Sequence, residues 1–172
     1  MTAMSPIVSV VGRSNSGKTT LVVKLLRELK QRGYRVATIK HSDHDFEIDR
    51  PGKDTWGHYE AGADIVVIST PAKMAMIERL DAEIPLDRIA ARLNNVDLII
   101  TEGYKHGNKP KIEVHRAAVP GELISPPEEL LAVASDEPLA TTAPCYDLDD
   151  AAGLVDLLEA KILSNPLPSG IK

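Results

Sequence analysis

Apolar residues occur along the chain both in short continuous runs and at helical spacing, a combination typical of α/β proteins. The run IVSVV at 7–11 predicts a buried strand, and the apolar positions within 21–29 recur at helical spacing until Gly33 ends the pattern. RVATIK at 35–40 predicts the next strand. Strand, helix and strand in this order predict a right-handed βαβ unit with parallel strands.

The remainder of the chain adds a predicted hairpin, three more strands and three more helices. Residues 65–70 and 73–80 are strand-like and are separated by a short turn containing Pro71, which favours an antiparallel hairpin. Further strands are predicted at 96–105, 111–115 and 130–136, and helices at 53–61, 85–94 and 147–163. We therefore expect an α/β fold with a mostly parallel, partly mixed sheet.

Composition narrows the class of protein. The 172 residues predict one domain over 1–164 and a disordered tail over 165–172 that contains proline and glycine. A net charge of −5 argues against a dedicated nucleic-acid or anionic-membrane binder. The single cysteine, Cys145, excludes an intramolecular disulfide and fits a reducing compartment. Since neither a secretory signal nor an apolar run of about 20 residues is found, we expect a cytoplasmic protein.

A complete phosphate-binding motif lies between the first strand and the first helix. Residues 12–19 read GRSNSGKT and match G-x-x-x-x-G-K-[ST] at every fixed position. Gly12 and Gly17 permit a tight turn whose N–H groups converge on phosphate oxygens at the start of a helix. Lys18 is expected to reach the β- and γ-phosphates, and Thr19 to offer its hydroxyl to Mg²⁺. The motif predicts a nucleoside triphosphate site and a three-layer P-loop NTPase fold.

A magnesium-binding loop of this kind needs a carboxylate from a neighbouring strand. LIITEG at 98–103 carries Glu102 where a buried strand ends. Glu102 can bind Mg²⁺ directly, hold one of its waters or orient an attacking water. The alternative, Asp97, begins the same strand and is expected at the opposite edge of a parallel sheet.

A basic segment follows Glu102. Lys105, His106, Lys109, Lys111 and Arg116 place five potentially cationic groups within a dozen residues. Two interpretations remain open for the segment: a solvated charged loop, or a surface that holds a second phosphorylated ligand.

The loop after the second strand is rich in histidine and acidic residues. These residues are His41, Asp43, His44, Asp45, Glu47 and Asp49. A transition-metal site would need a closing ligand at a characteristic spacing, so a loop that faces nucleotide or substrate is favoured. Asp49 and Asp54 flank a Pro51–Gly52 turn and are the acids of most interest.

Base recognition has one candidate residue. The Asn-Lys-x-Asp tetrapeptide with which GTPases select guanine is absent, but Asp136 ends the strand LLAVASD. It is either the residue that recognises guanine or an ordinary aspartate at a strand end.

Several segments together resemble the MobB family of molybdenum cofactor biosynthesis. They are GRSNSGKTTL, TIKH, the D-x-x-G-K-D-T-W loop at 49–56, AGA at 61–63, TEGYK, and KPKIEVHR, spread over residues 7 to 136. The last two segments and the loop at 49–56 make the resemblance specific.

The resemblance implies a GTP-binding, weakly hydrolysing homodimer that assists the molybdopterin guanylyltransferase without being that enzyme. It implies a GTP phosphate site formed by Gly12, Asn15, Ser16, Gly17, Lys18, Thr19 and Thr20, with Glu102 as the acid of the metal site. Molybdopterin or its guanine dinucleotide becomes a candidate second ligand. The candidate residues for it are Asp49, Lys105, Lys109, Lys111 and Arg116.

Two other functions use the same loop. A small-molecule kinase would place its acceptor against the basic segment. A GTPase that inserts metal into another enzyme would use His41 and His44 as metal donors.

Overall fold

The structure is a computed structural model that describes residues 4–42 and 44–163. Its contacts divide the chain into two compact units, one formed by Met1–Ser42 with Ala90–Lys172 and the other by Asp43–Ile89. We call them the sheet unit and the hairpin unit. The single domain predicted over 1–164 stays a prediction. The predicted tail at 165–172 lies outside the described residues.

The strands are short, and most have the predicted positions. They are β1 (Ile7–Val11), β2 (Val36–Lys40), β3 (Ile65–Ser69), β4 (Met74–Glu78), β5 (Leu98–Glu102), β6 (Lys111–His115), β7 (Leu130–Ser135) and β8 (Cys145–Tyr146). In the sheet unit six strands pair in the order β2-β5-β1-β6-β7-β8, and every pairing is parallel. The strands that precede the phosphate loop and Glu102 are therefore direct neighbours, and their carboxyl ends lie at one edge.

Among the described residues, four α-helices accompany the strands. They are α1 (Lys18–Gln31), α2 (Asp54–Glu60), α3 (Leu86–Ala90) and α4 (Ala151–Leu158), and a π-helical segment, Glu159–Leu163, extends α4. Helices α1 and α4 pack against each other. Their leucines form one core with the residues of alternate strand positions, among them Val8 and Val10 of β1. The α/β class predicted from the sequence is confirmed.

Strand β1 is buried along its whole length, as expected for a strand inside a parallel sheet. The sheet face that points away from α1 and α4 includes buried polar groups. Thr101 donates its hydroxyl to Ser9 Oγ at 2.8 Å, so these two side chains satisfy each other.

The predicted hairpin is confirmed, because β3 and β4 pair antiparallel from Ile65–Glu78 to Ser69–Met74. The two strands form a sheet of their own, so the described six-stranded sheet is entirely parallel and the expected mixing is wrong. In the hairpin unit α2 packs against β3. The guanidinium of Arg79 lies 3.8 Å from the centre of the Tyr59 ring.

Within residues 4–42 and 44–163, none of the helices has the length and apolar character needed to cross a membrane.

Candidate functional site

The phosphate loop has the backbone that its glycines allow. Gly12 has φ +144°, and a Cβ there would lie 2.5 Å from the carbonyl oxygen of Val114. Asn15 and Gly17 also have positive φ, at 61° and 99°. Residues with positive φ between residues with negative φ turn successive N–H groups toward one side of a loop, which is how backbone nests bind anions.

The first turn of α1 is open to an anion. Its N-cap residue is Gly17, which has no side chain that could cap the helix, and no acidic residue lies in this turn. The first N–H groups of a helix, here those of Lys18, Thr19 and Thr20, have no partner within the helix. Within the described part of the chain, the buried Ser16 Oγ also lacks a hydrogen-bond partner. Phosphate oxygens are the acceptors that such a set of donors fits.

Lys18 lies over the loop that precedes it. Its Nζ donates to the carbonyl oxygens of Gly12, at 3.1 Å, and Arg13, at 2.7 Å. Partial burial lowers the pKa of Lys18, the nearby Glu102 carboxylate opposes this, and the charges of Lys40 and Lys105 lower the pKa further. A phosphate would give this ammonium a charged partner in place of carbonyl oxygens.

Thr19 and Glu102 converge on the position where a metal ion would be needed. Thr19 Oγ1 donates to Glu102 Oε1 at 2.7 Å. A hydroxyl and a carboxylate at the phosphate loop are the oxygen donors that Mg²⁺ takes alongside phosphate, so these residues fit the ion. The alternative acid, Asp97, precedes β5 and accepts a hydrogen bond from the Arg35 amide at 2.7 Å, at the other end of the strand.

Lys40 is a site residue that the sequence analysis missed. Its Nζ lies 3.3 Å from Glu102 Oε1, because the two residues are register neighbours at the ends of β2 and β5. The rule that parallel strands end at the same edge, which singled out Glu102, could also have found Lys40 in the TIKH segment.

The candidate second-ligand residues of the sheet unit have different surroundings, and their role in binding a ligand stays a prediction. Lys111 is only 1% exposed and its Nζ pairs with Glu129, which leaves it unsuited to bind a ligand from solvent. Arg116 Nε lies 3.8 Å from Asp136 Oδ2. Lys105 is exposed and lines a cavity beside the phosphate loop, whereas Lys109 is not among the lining residues.

Asp49 belongs to the hairpin unit, where it stabilises the approach to α2. Hydrogen bonds from the Thr55 side chain and then from the Arg50 amide hold the pKa of Asp49 below its usual range. These contacts stabilise a local turn, and a role of Asp49 in binding a second ligand stays a prediction.

Asp136 follows β7 at the phosphate-loop edge of the sheet. Its Oδ1 accepts a hydrogen bond from the Ala117 amide at 2.8 Å. Its role in guanine recognition stays a prediction.

His41 packs against an aromatic ring next to the site. Its ring centre lies 4.7 Å from that of Tyr104, at a tilt of 42°. Over residues 4–42 and 44–163, no three His, Cys, Asp or Glu side chains are grouped so that they could hold a metal ion.

A parallel sheet with a phosphate loop after one strand and a paired carboxylate after its neighbour defines the class of P-loop NTPase folds. Residues 7–136 match the model of the family MobB, described as molybdopterin guanine dinucleotide synthesis protein B. The chain belongs to this family.

Individual relatives agree with the assignment. The chain is 35% identical to the molybdopterin-guanine dinucleotide biosynthesis adapter protein of Haemophilus influenzae, over 90% of this chain and 88% of the relative. It is also 35% identical to the Escherichia coli adapter protein, over 90% and 92% of the two chains. The crystal structure of a molybdopterin-guanine biosynthesis protein B superimposes with a TM-score of 0.70 at 33% identity, covering 90% of this chain and 98% of that one.

Proposed function

We propose that this chain binds GTP with Mg²⁺ at the phosphate loop and acts as an accessory protein to the molybdopterin guanylyltransferase. The main support is the hydrogen bond between Thr19 and Glu102 beside an uncapped helix N-terminus, since this arrangement presents metal ligands and phosphate donors together. Two relatives are named as adapter proteins of molybdopterin-guanine dinucleotide biosynthesis.

Slow hydrolysis of GTP belongs to the proposal. Two groups contact the Glu102 carboxylate: the Thr19 hydroxyl donates a hydrogen bond to it, and the Lys40 ammonium balances its charge. Neither group is a base that could activate water. Ras, a P-loop GTPase, turns over at about 3–5 × 10⁻⁴ s⁻¹ when no activator supplies an arginine finger. We expect a rate of similar order here, and a partner-free rate of about 10 s⁻¹ would contradict the adapter role.

Nucleotide binding is tested by calorimetric titration of GTP and ATP with and without Mg²⁺. We expect GTP–Mg²⁺ to bind best, and Lys18→Ala to weaken it by about a hundredfold, because two charge-assisted hydrogen bonds of about 1.5 kcal/mol each are lost. The matched control is Arg27→Ala, which removes an exposed cation from the same helix. If Lys18→Ala binds GTP as the parent does, the phosphate site is not where we propose it.

The same samples test the partner. GTP-loaded protein should co-elute with purified guanylyltransferase and accelerate formation of the guanine dinucleotide. Lys18→Ala should lose the acceleration, and Arg27→Ala should retain it. Acceleration that is independent of GTP would remove the nucleotide from the mechanism. A cytoplasmic location is part of the proposal and agrees with the free, exposed Cys145.

We also propose that the chain forms a homodimer through its hairpin. Ile65, Val67, Met74 and Met76 share one face of the hairpin, and each is about half or more exposed. An isolated two-stranded sheet is marginal in water, so a second copy that covers this face would stabilise it.

A further inference from the structure

A cavity of about 380 Å³ lies beside the phosphate loop in the sheet unit. It is lined by Gly12, Arg13, Ser14, Lys105, His106 and Ile124. Only the first three loop residues reach it, and neither Lys18, Thr19 nor Glu102 is among its lining residues. The cavity therefore adjoins the proposed triphosphate site without including its metal ligands.

The charge of this cavity is opposite to that of the chain. Arg13 and Lys105 contribute two cations, His106 and Ser14 add hydrogen-bonding side chains, and no carboxylate is among the lining residues. The chain as a whole carries a net charge of −5. A cation-lined recess on an acidic protein attracts anions, and the Arg–Lys–Ser set matches a phosphate group.

Arg13 is held in place by the loop opposite. Its Nε and one terminal nitrogen both donate to the carbonyl oxygen of Glu122, at 3.3 and 3.2 Å. Gly121 has φ +135°, and a Cβ there would lie 2.5 Å from the guanidinium. The guanidinium thus lies against a bare peptide, and its five N–H donors exceed what this one carbonyl oxygen can accept.

A buried carboxylate fixes the same loop from behind. Glu113 is 2% exposed and accepts hydrogen bonds from the amides of Ile124, at 2.7 Å, and Ser125, at 2.9 Å. Ile124 is itself a lining residue. Because the Ile124 amide is held by a buried carboxylate and Arg13 contacts the same loop, part of the cavity lining is preorganised, which reduces the cost of binding.

We propose that this cavity binds the phosphate group of a second, small organic molecule while GTP occupies the phosphate loop. The inference rests on the proposed function, and it narrows the candidate second ligand implied by the family resemblance to a phosphate ester. The volume lies within the range of small-molecule sites and exceeds what a phosphate ion needs, and Ile124 offers an apolar contact to the organic part. The cavity adds Arg13 and His106 to Lys105 as candidate residues for this ligand.

The test measures binding of inorganic phosphate by equilibrium dialysis of radiolabelled phosphate. The protein is loaded either with GDP–Mg²⁺ or with the non-hydrolysable β,γ-imido analogue of GTP and Mg²⁺. Loading is quantified separately in each sample, so a failure of nucleotide binding is distinguished from a failure of the second site. We expect phosphate to bind in both samples. Lys105→Ala should weaken its binding about tenfold or more, the effect of one charge-assisted hydrogen bond.

Lys161→Ala is the matched control, because it removes an exposed lysine of the sheet unit that does not line the cavity. It should leave phosphate binding unchanged. Binding in the GDP sample alone would show that the cavity is only the space of the γ-phosphate and would overturn the proposal. So would an equal effect of the two substitutions, or no phosphate binding to loaded protein.

Discussion

Gly12 is constrained both by its backbone angle and by its surroundings. Its φ of +144° disfavours any residue with a side chain, and a Cβ would meet both the Val114 carbonyl oxygen at 2.5 Å and Ser16 Oγ at 2.8 Å. Gly33, at the end of α1, has φ +90° but open space where a Cβ would be. A side chain at Gly33 would therefore meet backbone strain alone, whereas a side chain at Gly12 would meet both backbone strain and a steric clash.

Gly12→Ala should destabilise the protein more than Gly33→Ala does. For Gly33→Ala we expect a loss of about 1–2 kcal/mol in the free energy of unfolding, the cost of a left-handed non-glycine residue. For Gly12→Ala we expect at least about 1 kcal/mol more, because the backbone of β6 must shift. Urea unfolding measures both, and GTP titration should show weaker binding for Gly12→Ala alone. Equal losses of stability would mean that the contact with Val114 is unimportant.

At the scale of elements, β6 shows how a strand can bury polar side chains. All five residues of KIEVH are buried. Lys111 pairs with Glu129, Glu113 accepts two backbone amides, and His115 Nε2 lies 2.8 Å from Glu137 Oε1. Since every one of these groups has a partner, their burial does not leave uncompensated charge. Strand β6 thereby anchors the loop that faces the phosphate loop.

Glu113→Gln should loosen this loop without unfolding the sheet. A glutamine keeps one oxygen acceptor but turns an NH₂ toward one of the two amides, so we expect a loss of about 1.5–3 kcal/mol. Hydrogen exchange should show reduced protection at the Ile124 and Ser125 amides. The control is Glu128→Gln, an exposed acid in the same connection. Unchanged protection in Glu113→Gln would show that other contacts hold the loop.

For the whole molecule, local patterns predicted more than long-range contacts did. GRSNSGKT and the strand before Glu102 could be interpreted because motif spacing and strand ends are local features. The bond between Arg13 and Glu122 joins residues 109 positions apart, and nothing in either segment signals it. Alternation in KIEVH predicted a strand correctly but did not reveal that Lys111 is buried, because its partner, Glu129, lies in another segment.

The hairpin shows the same limit at the level of sheets. A short turn between 65–70 and 73–80 predicts that the strands pair, but not which sheet they join. In the structure one hairpin face carries Val66 and Ile77, which are buried or half-buried, together with the exposed Ile68. The other carries Ile65, Val67, Met74 and Met76, all exposed. A hairpin with one solvated face usually carries polar side chains on that face. Apolar side chains on the exposed face of this hairpin therefore indicate that a partner covers it.

Val67→Glu should therefore produce monomers. Val67 is 50% exposed and lies opposite Met76 on the exposed face, where a carboxylate would be buried on dimerisation. An unpaired buried charge costs about 3 kcal/mol or more, or about a hundredfold in the dimer Kd. Sedimentation equilibrium measures this constant, and Gln31→Glu, which adds the same charge at an exposed position of α1, should leave it unchanged.

If the parent is a monomer at every concentration, or if Val67→Glu dimerises as the parent does, the hairpin face is not the interface. GTP affinity should stay the same in Val67→Glu, because the phosphate loop, Lys18, Thr19 and Glu102 all belong to the sheet unit.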